Sequence, residues 1–131
     1  MSEIDESPAP VGILTTQTIA MPKDTNADGD IFGGWLISQM DLSGAIAAGK
    51  IARGRVATVA IDQMSFMVPV NVGDVISVYT EIINIGRSSI TVGVEVWSST
   101  HYSEEQIKVT DGVFVFVAID AQGRTRVIPK S

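Results

Sequence analysis

The spacing of apolar residues along this chain changes most clearly near residue 55. Ahead of that point, WLISQMDLSGAIAAGKIARG (residues 35–54) holds no proline and places apolar side chains at helical intervals. Arg53 and Gly54 close the segment with a cationic last turn and a glycine stop, so a helix is predicted from Trp35 to about Arg53. Beyond it the pattern is that of strands. Val56–Phe66 is β-branched and apolar, and PVNVGD (69–74) makes a turn. Val75–Ile85 and Ser89–Trp97 are separated only by Gly86-Arg87-Ser88, a hairpin-like connection. A polar loop at His101–Glu105 precedes a long strand at Ile107–Ile119, a turn at Asp120–Gly123 and a short last strand at Thr125–Ile128. Ahead of the helix, Ile13–Ala20 alternates weakly and reads as a first strand ended by Met21-Pro22. Lys23–Gly34, rich in Asp, Asn and Gly, reads as a long loop.

One early helix followed by several long strands is an α+β arrangement with segregated elements, five to six strands and one helix. A single helix cannot cover such a sheet. In the last long strand Val109, Val113, Val115 and Val117 alternate with Thr110, Phe114, Phe116 and Ala118, so both faces are apolar and both need a cover. The helix supplies one and a second copy of the chain is expected to supply the other.

The length of 131 residues fits one domain, placed at residues 11–131 behind a loose acidic tail, MSEIDESPAP, at 1–10. With no cysteine, disulfides, cysteine-ligated metals and cysteine nucleophiles are excluded, and with His101 the sole histidine so are multi-histidine metal sites. A net charge of −6 argues against nucleic acid as a partner. No basic leader and no apolar run of about 18 residues is visible, so a cytoplasmic protein with no membrane contact is expected. Asp24, Asp28 and Asp30 resemble a calcium loop only in composition, since no glutamate follows at the required spacing. No metal and no cofactor is expected.

On a helical wheel Gln39, Ser43, Lys50 and Arg53 gather on the side expected to face solvent, whereas Asp41 falls among Ile37, Ala45, Ala48 and Ala52. An ionised carboxylate on an apolar stripe needs compensation. It is either a hydrogen-bonded structural aspartate or a catalytic acid lining a pocket between helix and sheet. Just before the helix, Gly33 and Gly34 allow close approach to the backbone and leave the first helical N–H groups accessible. Those donors can hold a carbonyl oxygen as it becomes an oxyanion. A tight entry turn is the plain alternative. His101 and Trp35 read as an exposed loop residue and a packing residue, Asp62 as a sheet-edge carboxylate, and Asp111 with Gly112 as a bulge.

Several separated blocks then agree. NADGDIFGGWLISQMD, VAIDQMSFMVPVNVGD, GRSSI and VTDGVFVFVAID together resemble the YciA-type acyl-CoA thioesterases of the hotdog-fold superfamily, over about residues 21–129. The resemblance implies a curved antiparallel sheet around one helix, a homodimer at least, and assembly as a trimer of dimers, a homohexamer. It implies that Asp41 is the catalytic carboxylate, that Asn26 places substrate or water across the dimer interface, and that Gly86, Arg87, Ser88 and Ser89 bind CoA. Gly34 joins the catalytic set and Gly33 the substrate-binding set. Asp28 stands where relatives commonly carry asparagine.

The expected reaction is hydrolysis of acyl-CoA to free CoA and a carboxylic acid, CoA being part of the substrate. Amides at Gly33–Trp35 would polarise the carbonyl, and Asp41 would act as general base or as nucleophile. A dehydratase of the same fold would want a helical histidine, which this chain lacks. A non-catalytic acyl-CoA-binding module would keep the CoA turn without needing Asp41.

Overall fold

The computed structural model describes residues 9–66, 68–100 and 102–130. The tail expected at 1–10 lies outside these residues except for its last two positions, and His101 lies outside them too. In chain order the elements are β1 (Ile13–Ile19), a single 3-10 turn (Pro22–Asp24), α1 (Gly33–Ala52), β2 (Val56–Phe66), β3 (Val75–Ile85), β4 (Ser89–Ser99) and β5 (Ile107–Ala118). The strands form one five-stranded sheet in the order β1-β3-β4-β5-β2, every neighbour antiparallel. Because α1 packs against all five strands, the sheet curls around the helix. The helix carries the chain from one edge strand, β1, to the other, β2.

Alternation sets the two faces of the sheet. On β5, Thr110, Gly112, Phe114, Phe116 and Ala118 are buried toward the helix, whereas Val113, Val115 and Val117 are half-buried on the outside. The Phe114 and Phe116 rings lie 6.3 Å apart and nearly parallel, and Val92, Val94 and Val96 of β4 complete the centre. Each such side chain contributes about 1.5–3 kcal/mol through burial.

Thr125–Ile128 does not form the expected last strand. Only one bridge, Ile119 to Thr125, is present. The reason is that β5 is already paired on both sides, by β4 and β2. The segment instead crosses the end of the sheet, with the Arg126 amide donating to the Ala118 carbonyl and the Ile128 amide to the Arg87 carbonyl, both at 2.9 Å.

The wheel also misassigned one face of the helix. Ser43, expected in solvent, is fully buried and shares a 2.5 Å hydrogen bond with the Thr16 hydroxyl. The faces are set by side-chain size more than by polarity. A Cβ on Gly44 would sit 2.8 Å from Phe116 Cζ, so glycine here lets the helix settle onto the sheet. Ser43 follows it in and finds a hydroxyl partner. Solvent instead meets Ser38, Leu42, Ile46 and Lys50. The helix ends at Arg53, which itself takes the left-handed conformation (φ 55°) expected of Gly54. A Cβ on Gly54 would lie 2.7 Å from an Arg126 guanidinium nitrogen, which would have to shift to admit it.

Candidate active site

Asp41 lies near the middle of α1, on the flank of the buried face. Ala48 and Ala52 beside it are buried, but Ile37, Ala45 and Asp41 itself are half-buried. The expectation of a carboxylate deep in an apolar stripe is therefore corrected. Asp41 stands at the seam between helix and edge strand β2, where the Thr58 hydroxyl donates to its Oδ1 at 2.6 Å. That bond holds one carboxylate oxygen, and the other has no hydrogen bond among the described residues. Thr58 was not foreseen. Its signal in the sequence is small, a lone hydroxyl in the otherwise apolar start of VATVAIDQMSF.

At the start of α1, Gly33 and Gly34 are the first two helical residues rather than part of the preceding loop. Phe32 is the N-cap, with no side-chain cap and no acidic residue in the first turn. The Trp35 amide is already used, donating to the Phe32 carbonyl at 3.1 Å. The Gly33 and Gly34 amides have no hydrogen-bond partner among the described residues, and they carry the partial positive charge of the helix start. A Cβ on Gly34 would lie 3.2 Å from the Phe32 ring, so glycine keeps this entry open.

Asn26 is the hub of the loop ahead of the helix. Its Oδ1 accepts the amides of Asp28 (2.9 Å) and Asp30 (3.1 Å), and its own amide donates to the Asp30 carbonyl at 2.8 Å. Only its side-chain NH2 is left to reach outward. No hydrogen bond joins Asn26 to Asp41 among the described residues. The Asp28 side chain is exposed on the same loop.

The 86–89 turn is built for tightness. The Gly86 amide donates to the Ser89 carbonyl at 2.7 Å, and a Cβ at residue 86 would meet Ser89 Oγ at 2.6 Å. The Ser88 carbonyl accepts the Ala118 amide at 2.8 Å, which ties the turn to the end of β5. A cleft of about 560 Å³ lies between Ile85–Arg87 and Val127–Lys130. It sits at the end of the molecule where α1 stops, about 17 Å along the helix from Asp41 at 1.5 Å per residue.

Other charged groups have structural partners. Asp24 is buried, which opposes its ionisation, but the Met21 amide and the Lys23 ammonium donate to it and hold its carboxyl below the usual range. Asp111 flanks an irregularity of its own strand at Val109, where β5 runs two residues from Thr110 to Lys108 against one step of β4. It accepts Lys108 at 2.7 Å, with Glu95 at 3.6 Å, and these anions raise the lysine pKa against the cost of its partial burial. A second irregularity lies opposite, in β2 between Asp62 and Ser65, where Gln63 is left-handed (φ 55°). Among the described residues no three His, Cys, Asp or Glu side chains converge as a metal site, and no helix is long and apolar enough to cross a membrane.

A five-stranded antiparallel sheet curled on one long helix is the architecture of the hotdog thioesterases. Residues 28–105 match the family model of the thioesterase superfamily. The chain is 47% identical over 132 residues to the acyl-CoA thioester hydrolase YciA of Salmonella typhimurium, covering 98% of each. It is 48% identical over 123 residues to YciA of Escherichia coli K12, covering 92% of this chain and 93% of that one. Among solved structures, HI0827, a hexameric broad specificity acyl-coenzyme A thioesterase, superimposes with a TM-score of 0.90 at 53% identity, over 95% of this chain and 86% of that one. The hexameric thioesterase y2039 from Yersinia pestis gives 0.88 at 51% identity, over 94% and 100%. This chain belongs to the YciA-type acyl-CoA thioester hydrolases of the thioesterase superfamily.

Proposed function

We propose that this protein hydrolyses acyl-CoA thioesters with Asp41 as its catalytic carboxylate. The observation that carries the assignment is the Thr58–Asp41 bond at the seam beside β2. It holds a half-exposed carboxylate through one oxygen, the other having no hydrogen bond among the described residues. The free amides at Gly33 and Gly34, an uncapped helix start, are the donors assigned to the thioester oxygen as charge develops on it. As a general base Asp41 takes a proton from water; the hydroxide adds to the carbonyl carbon, the C–S bond breaks, and the CoA thiolate recovers the proton. As a nucleophile it instead forms a mixed anhydride that water then cleaves. Single-turnover hydrolysis in oxygen-18 water identifies the anhydride route when label appears in Asp41, because only water attack on the aspartyl carbon of the anhydride puts it there.

The site reads as incomplete in one protomer. Among the described residues no hydrogen bond joins Asn26 to Asp41, and β2 has no strand on its outer side. We assign its completion to a second copy paired along β2, bringing the Asn26 side-chain NH2 of one subunit toward the Asp41 of the other. Assembly of such dimers into a hexamer follows the relatives described as hexameric. The 86–89 turn is assigned to CoA: Arg87→Ala is expected to raise KM for acyl-CoA well above its effect on kcat, and an unchanged KM removes Arg87 from the site. No metal or organic cofactor enters this scheme. A wild-type protein that binds acyl-CoA without releasing thiol would replace it with a binding module.

A further inference from the structure

Positive charge in this acidic chain is gathered at one end. Of its nine lysines and arginines, Lys50, Arg53 and Arg55 lie around the end of α1 and the start of β2. Arg87 lies in the turn between β3 and β4, and Arg124, Arg126 and Lys130 follow β5 at the same end. Only one carboxylate among the described residues, Asp120, shares that end, and its Oδ1 is taken by the Gln122 and Arg124 amides at 2.9 Å. With a net charge of −6 for the whole chain, the rest of the molecule is strongly acidic. Such a separation guides anions to one end.

Closing the helix explains part of this cluster. Arg126 donates to the Ala52 and Ile119 carbonyls, both at 2.9 Å, and Arg55 to the Asp120 and Ala121 carbonyls at 3.1 and 3.2 Å. Arg87 and Lys130 are different. Neither side chain has a hydrogen bond or ion pair among the described residues, both are exposed, and both line the same cleft of about 560 Å³. The bond from the Ile128 amide to the Arg87 carbonyl (2.9 Å) pins the two walls of that cleft together. Ile85, Val127 and Pro129 give it an apolar lining below the two cations.

We propose that Lys130 is a second phosphate-binding residue opposite Arg87, so that the C-terminal segment forms one wall of the site for the phosphate-bearing end of the CoA thioester. The proposal rests on the thioesterase reading. Its test compares kcat/KM for an acyl-CoA with that for the matching S-acyl-pantetheine, which keeps the thioester and lacks every phosphate. In Lys130→Ala the ratio of the two values falls about three- to tenfold, the worth of a partly exposed ionic hydrogen bond. In Lys130→Glu it falls further, and in Lys130→Arg it stays at the wild-type level. Lys23→Ala makes the same charge change at the other end and leaves the ratio where it was. A ratio unmoved in Lys130→Glu, or lowered equally by Lys23→Ala, overturns the proposal. If the wild-type protein hydrolyses neither thioester, the thioesterase reading fails by itself. The affinity of Lys130→Glu for free CoA, measured by calorimetry, then decides the matter: weakened binding upholds the phosphate site and unchanged binding rejects it.

Discussion

Asp41 and Thr58 stand 17 positions apart in the chain and meet through a 2.6 Å hydrogen bond. Replacing Thr58 by valine keeps the shape and removes the donor. A hydrogen bond to a charged group is worth about 1.5–3 kcal/mol, so kcat should fall roughly 10- to 100-fold with KM little changed. Thr58→Ser should recover most of the loss, whereas a purely structural role for Thr58 would lower thermal stability and leave kcat per folded molecule intact. A second residue governs acid stability. The Asp24 carboxyl ionises more readily in the folded protein than at its ordinary value of 3.8, because the Met21 amide and Lys23 outweigh its burial. Its stabilisation is therefore complete above about pH 4 and is lost as pH falls through the lower folded value. Asp24→Asn should flatten that part of a stability–pH curve measured by urea unfolding. Asp41 stood out as a candidate in the sequence because an acid off the polar face is conspicuous on a wheel, and the family resemblance, not the wheel, gave it a catalytic role. Thr58 did not stand out, because its role is a contact between elements that no local spacing encodes.

At the scale of elements, the helix and the long strands were readable from their periods, and β2 and β3 begin and end where the apolar runs do. What the period did not give was the orientation of α1. Ser43 is buried because a hydroxyl awaits it, while Leu42 and Ile46 are 58% and 43% exposed. Size decided the matter at Gly44, whose missing Cβ is replaced in space by the Phe116 ring. Gly44→Ala should cost about 1–3 kcal/mol by lifting the helix from the sheet, read as a lower urea midpoint with an unchanged slope. The reach of the last segment was likewise invisible, since whether 125–128 extends the sheet depends on β5 being paired on both sides.

At the scale of the whole molecule, an open edge strand and an apolar helix face lie side by side. Val59 and Ile61 on β2 are 55% and 42% exposed, close to the seam that holds Asp41. Unpaired strand edges of this kind invite another strand. A lysine there blocks pairing, so Val59→Lys should shift the sedimentation coefficient from oligomer to monomer and remove thioesterase activity with it. A monomeric wild type, or a fully active monomeric variant, would contradict an active site completed across β2. The sequence pointed to an oligomer through the two apolar faces of β5, yet the open edge at β2 assigned above to a partner became visible only once the strand order was known.

The central claim is that Asp41 performs thioester hydrolysis, and free-thiol release from short- to long-chain acyl-CoAs by wild type and Asp41→Asn tests it most directly. The account predicts thiol release by the wild type and a loss of at least about a hundredfold in a variant with native circular dichroism and native assembly. Undiminished thiol release by the folded Asp41→Asn protein would contradict it.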